Sequence, residues 1–173
     1  MNVYITIGGQ GSRMKQISPV DKHLLYYKNK RIIEHLTDIF PSATIIGHKK
    51  TANRKETLEQ IRHQTNCLIV DCDIIPVGIS LKEPADDMIF VFESAKNKYG
   101  SVIVANNKLQ QVSEKENISN IKCSGAYYVK SMASLLDAMT DVNSIASGMI
   151  GATTKKESTF IRLGDVEDYY EAL

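Results

Sequence analysis

Near the start of the chain, Gly8-Gly9-Gln10-Gly11-Ser12-Arg13-Met14-Lys15 is followed at a short distance by Asp21-Lys22, which joins a glycine-rich loop to fixed cations. Such a combination suits the binding of a triphosphate. Glycines at 8, 9 and 11 let backbone N–H groups approach anionic oxygens with no Cβ in the way. Arg13 offers a planar fork of donors, and Lys22 adds a mobile point charge. Two commoner nucleotide motifs do not fit. A P-loop needs Lys and then Ser or Thr directly after its last glycine, whereas Gly11 is followed by Ser12-Arg13. A dinucleotide fingerprint read from Gly9 would need Gly or Ala where Met14 stands, and no acidic residue ends a second strand at the expected distance. Two readings of the loop remain, an anion cradle and a tight turn with nothing bound.

A second constellation is Asp71-Cys72-Asp73, which follows the apolar run Cys67-Leu68-Ile69-Val70 and precedes Ile74-Ile75-Pro76. Two carboxylates therefore stand at the carboxyl end of an expected strand, where ligands bind in open α/β sheets. Residues 71 and 73 share one face of an extended segment, and Asp73, at the mouth, is the better placed to hold a hard divalent cation. Magnesium, or manganese in its place, needs only one or two protein carboxylates when phosphate oxygens and water complete the shell. A turn or helix-cap aspartate is the alternative. Further on, Glu114-Lys115 precedes Ser124-Gly125-Ala126-Tyr127-Tyr128-Val129. Taken alone the charged pair suits a solvated surface, and Gly125 suits either a bend or a close approach of ligand to backbone. The closing Leu163-Gly164-Asp165-Val166-Glu167-Asp168-Tyr169-Tyr170 reads as a turn into a short helix whose acidic start suits the helix dipole.

These groups need elements to hold them. Apolar runs at 3–7, 43–46, 67–70, 88–92, 101–105 and 126–129 read as strands with amphipathic stretches between several of them, an α/β alternation. Ile32, Ile33, Leu36, Ile39 and Phe40 recur at three- and four-residue steps, which predicts a helix over 30–40 that Pro41 stops. Thr57-Leu58-Glu59-Gln60 predicts a capping box ahead of Ile61, and Leu135, Leu136 and Met139 mark a third helix. The basic stretch His48 to Lys55 reads as a solvated loop in preference to a phosphate-contacting lid.

The chain has 173 residues, enough for one domain over 1–173 with a core that needs no disulfide or metal staple. A formal net charge of +1 and 24% charged residues argue against an electrostatic nucleic-acid binder. Cys67, Cys72 and Cys123 are odd in number, lack CxxC spacing and lie in or beside apolar runs, which fits a reducing cytoplasm. No apolar segment approaches the length needed to cross a bilayer. The expected partners are small molecules, with no nucleic acid and no membrane, and a homo-oligomer is left open.

Taken together the motifs resemble the sugar-phosphate nucleotidylyltransferases, and the resemblance runs nearly end to end. GGQGSRM resembles that family's GGxGxR(L/M) signature, and Asp21-Lys22 stands where the family usually has Pro-Lys. LIVDCDIIP resembles its strand ending in a metal-binding aspartate, Glu114-Lys115 its Glu-Lys pair, SGAYYV its Gly-x-Tyr strand, and LGDVEDYYEAL its closing LGTPEDY segment. The resemblance implies a Rossmann-like three-layer sandwich with a mixed, mostly parallel sheet, related to the GT-A fold. It implies that Gly8, Gly9, Gly11 and Ser12 hold a nucleotide, that Arg13 and Lys22 clamp its phosphates, that Asp73 binds Mg²⁺ with Asp165 nearby, and that Lys115 meets an acceptor phosphate. Gln10 and Thr57 fall where the base is read, which favours a pyrimidine. The implied reaction is in-line attack of an acceptor phosphate on a nucleoside triphosphate with release of pyrophosphate, feeding surface-polysaccharide synthesis. Three features depart from the family: Arg162 occupies the usual place of a second metal carboxylate, Asp21 replaces the proline beside Lys22, and the chain is shorter than most members. A GT-A glycosyltransferase using the DxD motif and a non-catalytic nucleotide-binding domain are the competing readings.

Overall fold

The computed structural model describes residues 1–7, 14–47, 51–80, 82–157 and 159–173. The first apolar run forms strand β1 (Asn2–Thr6), and the small hairpin of β2 (Tyr26–Tyr27) and β3 (Lys30–Arg31) leads into helix α1 (Ile32–Ile39). Strand β4 (Thr44–Ile46), helix α2 (Arg54–Glu59), strand β5 (Thr65–Asp71) and the short strand β6 (Ile74–Ile75) follow. Then come β7 (Met88–Glu93), β8 (Ser101–Ala105), β9 (Lys108–Ser113), the long β10 (Ile121–Ser131) and α3 (Met132–Ala138). Strands β11 (Thr153–Lys156) and β12 (Ile161–Arg162) and helix α4 (Val166–Ala172) complete the chain.

Eight strands form one sheet in the order β4-β1-β5-β10-β7-β11-β9-β8. Strands β4, β1, β5, β7, β11 and β8 point one way, while β10 and β9 run against them, so the sheet is mixed and mostly parallel as expected. Residues 67–70 of strand β5 are all apolar because both of its faces are covered there. Leu68 and Val70 pack with Val3, Ile5, Leu36 of α1 and Phe40 just after it on one face. Cys67 and Ile69 pack with Leu58, Met132, Leu135 and Leu136 of α2 and α3 on the other. The result is a three-layer sandwich. A smaller third cluster joins Met14, Leu25, Tyr27 and Ile32 to Ile75 and Leu163, with Val166 and Tyr169 of α4 against it.

Each apolar run expected as a strand is one. Strands β9 and β11 were not expected, because Lys108-Leu109-Gln110-Gln111-Val112-Ser113 and Thr153-Thr154-Lys155-Lys156 have no apolar run to announce them. A turn signal was present for the first: Asn106 and Asn107 join β8 to β9 with φ of 52° and 57°, the left-handed pair that a two-residue hairpin requires. In α1, Glu34 accepts the Arg31 N–H at 2.6 Å and so occupies one of the donors left open at the helix start. The capping box expected at Thr57 lies further back. Asn53 is the cap, accepting the Glu56 N–H at 2.9 Å, while the Glu56 carboxylate accepts the Ala52 N–H at 2.8 Å. Thr57 is instead inside α2, buried and hydrogen-bonded to the Thr51 hydroxyl at 2.9 Å. None of the described helices is long and apolar enough to cross a membrane.

Candidate active site

The chemistry-bearing residues converge at the carboxyl ends of β1 and β5, where Thr6 and Asp71 are register partners. Gly8, Gly9, Gln10, Gly11, Ser12 and Arg13 lie outside the described residues. Both flanks of that loop are anchored here. Ile7 continues β1 and donates its N–H to the Ile46 carbonyl at 2.8 Å, and Met14 is buried against the cluster that contains Ile75 and Leu163.

A pocket bordered by Lys22, Asp71, Asp73, Gly125 and Asp165 brings together sequence candidates that are far apart along the chain. Each of its three aspartates faces a cation. Asp71 accepts the Thr6 hydroxyl at 2.9 Å and faces the Arg54 guanidinium at 3.1 Å. Burial pushes the Asp71 carboxyl up against the opposing pull of Arg54, and the neighbouring negative charge of Asp73 adds to the rise. Asp73 accepts from the Lys22 ammonium at 2.8 Å. Burial alone would raise Asp73, but the charge and hydrogen bond of Lys22, aided by Arg54, overturn it and hold the carboxyl below its ordinary value. Asp165 caps α4 by accepting the Asp168 N–H at 3.0 Å, and it meets Lys98 at 2.7 Å. Lys98 also meets Glu167 at 2.9 Å and Asp168 at 2.8 Å. Burial would lower Lys98, and its hydrogen bonds to these carboxylates raise it instead.

Two glycines shape the walls. Gly125 sits at φ +88° where β10 shifts register against β7, and a Cβ there would stand 3.1 Å from Asp71 Oδ2. The bend and the close approach expected of Gly125 are thus one feature, although the approaching group is a carboxylate of the protein. Strand β12 pairs with β6 just beyond Asp73, and the Leu163 N–H donates to the Asp73 carbonyl at 2.8 Å. A Cβ on the next residue, Gly164, would stand 3.0 Å from Asp73 Oδ2.

Not every candidate is in the pocket. Thr57 does not border it, and neither does the exposed Lys115, whereas its neighbour Glu114 does. Glu114 accepts the Ser144 hydroxyl at 2.6 Å. Behind it, the fully buried Lys122 donates to Asn117 and to the Ser119 carbonyl at 2.7 Å, which ties down the 114–120 segment. Arg162 borders the pocket with its guanidinium 3.4 Å over the Phe92 ring and ion-paired to Glu157. Sequence reasoning missed Arg54 and Lys98, and it singled out Glu114 only as one half of the Glu114-Lys115 pair. Arg54 belongs to the basic stretch read as solvated loop, and the Asn53-x-x-Glu56 cap was the signal that this stretch turns into a helix.

The sequence matches no protein-family model and no curated protein. Solved structures do match. A nucleoside-diphosphate-sugar pyrophosphorylase from Vibrio cholerae superposes with a TM-score of 0.75 at 14% identity, covering 99% of both chains. A CTP:phosphocholine cytidylyltransferase from Streptococcus pneumoniae gives 0.71 at 13% identity, covering 98% of this chain and 96% of the other. An inositol-1-phosphate CTP transferase from T. maritima gives 0.70 at 10% identity, covering 99% and 94%. Across nearly its whole length, this chain has the fold shared by nucleotide-sugar pyrophosphorylases and cytidylyltransferases.

Proposed function

We propose that the chain is a nucleotidyltransferase that moves a nucleoside monophosphate from CTP or UTP to a phosphorylated sugar, polyol or similar small phosphate and releases pyrophosphate. The observation that carries this reading is the meeting of Lys22 and Asp73 at the carboxyl ends of β1 and β5, beside both anchors of the glycine-rich loop. Arg13 and Lys22 bind and orient the triphosphate, and Gly8, Gly9, Gly11 and Ser12 supply backbone and hydroxyl donors to it. Positioning and fixed charge are most of what phosphoryl chemistry takes from a protein, so no protein nucleophile is needed. Glu114, held by Ser144, accepts hydrogen bonds from the hydroxyls of the acceptor, and Lys115, exposed outside the pocket lining, reaches for its phosphate from solvent.

Among the described residues, no group of three or more His, Cys, Asp and Glu side chains could hold a metal. Asp73 still fits magnesium, whose shell needs one or two carboxylates when phosphate oxygens complete it. Gly164 leaves open the side of Asp73 Oδ2 that a Cβ would crowd. Asp165, engaged by Lys98, is the second candidate ligand. Magnesium or manganese held there supplies charge neutralisation to phosphate oxygens. The glycosyltransferase reading needs both aspartates of the DxD motif, and Asp71 is occupied by Thr6 and Arg54.

The pyrimidine preference draws on the two CTP-using proteins among the similar structures. A product destined for surface polysaccharide fits the sugar-nucleotide and phosphocholine chemistry of these relatives in fold. The test is thermal stability with Mg²⁺ and each of CTP, UTP, dTTP, ATP and GTP beside UDP-sugars, followed by pyrophosphate release with sugar and polyol phosphates. A ligand at 100 times its Kd adds about 2.7 kcal/mol of stability. A larger shift with CTP or UTP than with any nucleotide-sugar supports the reading, and a preference for nucleotide-sugars without pyrophosphate release overturns it.

A further inference from the structure

Among the described residues Lys122 is the most deeply buried charged side chain, and the transfer chemistry gives it no task. It lies on β10 opposite Ser101 of β8 and Phe92 of β7. Its ammonium donates to the Asn117 side-chain oxygen and to the Ser119 carbonyl at 2.7 Å, so what it holds is an amide and a backbone group and not a carboxylate. Burial pushes the ammonium below the ordinary lysine value. A charge so placed costs stability that a methionine of similar length would not. Both of its partners belong to the turn 114–120 that joins β9 to β10. Ser101 Oγ ties the same turn by donating to the Glu116 carbonyl at 2.7 Å and accepting the Ile118 N–H at 3.1 Å. Glu114 opens the turn and borders the pocket. Its Oε1 accepts from Ser144, and a Cβ on Gly100 would stand 2.7 Å from its Oε2, so the carboxylate lies against the backbone just before β8. The Gly100 carbonyl in turn accepts the N–H of Cys123, next to Lys122, at 2.9 Å.

We propose that Lys122 is a positioning residue for the acceptor, fixing from beneath the turn on which Glu114 meets the acceptor's hydroxyls. This rests on the nucleotidyltransferase reading of the pocket and on the part Glu114 has in it. An ammonium suits the task, since its three donors reach an amide and a carbonyl at once. Glu114 itself is exposed, so its place depends on the backbone that carries it. Without the anchor the turn gains conformational freedom, and binding the acceptor has to remove that freedom again. The loss falls on acceptor affinity. It spares the nucleotide, whose proposed contacts, Arg13 and Lys22 among them, come from other segments of the chain.

The test compares the whole chain with Lys122→Met, using CTP and either glucose 1-phosphate or glycerol 3-phosphate, whichever releases pyrophosphate faster. In Lys122→Met the KM for that phosphate should rise about ten-fold, the worth of one hydrogen bond to a charged group, while kcat and the KM for CTP stay within about two-fold. The melting temperature should hold or rise, because a buried charge has gone. Amide hydrogen exchange over 115–120, read by mass spectrometry without ligand, should become about ten-fold faster, with β5 and α4 unchanged. In a Glu114→Gln background the same substitution should add little to the acceptor KM, since both act on one contact. An unchanged acceptor KM overturns the proposal, as does a joint loss for CTP and acceptor with a lower melting temperature, which would make Lys122 a core residue only. If Lys122→Met does not fold, Asn117→Ala decides, because it breaks the same hold from an exposed position. That variant should raise the acceptor KM and the exchange in the same direction, and no change in either overturns the anchor. A wild type that releases no pyrophosphate with either acceptor ends the transferase reading by itself. In that case faster exchange over 115–120 in Lys122→Met still supports the anchoring of the turn, and unchanged exchange overturns it.

Discussion

Asp73 and Asp165 border the same pocket and each faces a lysine, yet their surroundings differ. At the start of α4, Lys98 meets Asp165, Glu167 and Asp168, the Asp168 N–H returns to Asp165, and the Tyr99 hydroxyl donates to Asp168. Any one contact could be lost and the rest would still fix the helix to the loop before β8. At the mouth of β5, Asp73 meets Lys22 in a more open place, with a glycine rather than a side chain on one flank. The same pairing of carboxylate with ammonium is therefore buried scaffold in one region and partly open to solvent in the other. Depth of burial separates them, and sequence spacing does not carry it.

Substitutions can break this comparison. The largest effect is expected from Asp73→Asn, which should lower metal-dependent pyrophosphate release about 10²–10³-fold with the fold retained, a loss typical of removing one group that stabilises developing charge. Normal rates would show that Asp73 is as structural as Asp165. Lys98→Met should do the reverse, lowering stability in urea melts by about 3 kcal/mol, because it removes the cation that the buried Asp165 and Asp168 share and leaves Asp168 only the longer Lys96 contact at 3.5 Å. A small loss would mean that the α4 network is no firmer than the Lys22 pair. Gly164→Ala sharpens the contrast from the other side. Its Cβ would press on Asp73 Oδ2, the movable end of a side chain, so turnover should fall about ten-fold while the melting temperature barely changes. The smallest effect is expected at the α2 cap, where Asn53→Ala should cost about 1 kcal/mol by calorimetry and loosen the start of the helix that carries Arg54.

The sheet was largely legible before the structure because β1, β5, β7 and β10 are buried on both faces and so read as continuous apolar runs. Strand β11 was not, since Thr153-Thr154-Lys155-Lys156 is polar and takes its place from its pairing with β7. The site divides in the same way. Asp73 and Lys22 could be named from local patterns, a run ending in an acid and a cation after glycines. Arg54 and Lys98 could not, because their importance comes from contacts with Asp71 and Asp165, 17 and 67 residues away along the chain. Lys115 was preferred to Glu114 on sequence, and the pairing of Glu114 with Ser144 across 30 residues turns the acid into the pocket in its stead.

Strand β10 has one more consequence. In the sheet order it lies between β5 and β7 and also touches β8, so without it the sheet falls into two pieces, β4-β1-β5 and β7-β11-β9-β8. As the chain leaves the ribosome, β5 and β7 present open edges until residues 121–131 have followed, and such edges invite pairing with other chains. Closure then depends on contacts between segments about 60 residues apart, such as Val129 with Cys67, a non-local step of the kind that slows folding. Substitutions that weaken β10 should therefore show first as poor yield and aggregation during synthesis, before any loss of binding in the molecules that do fold.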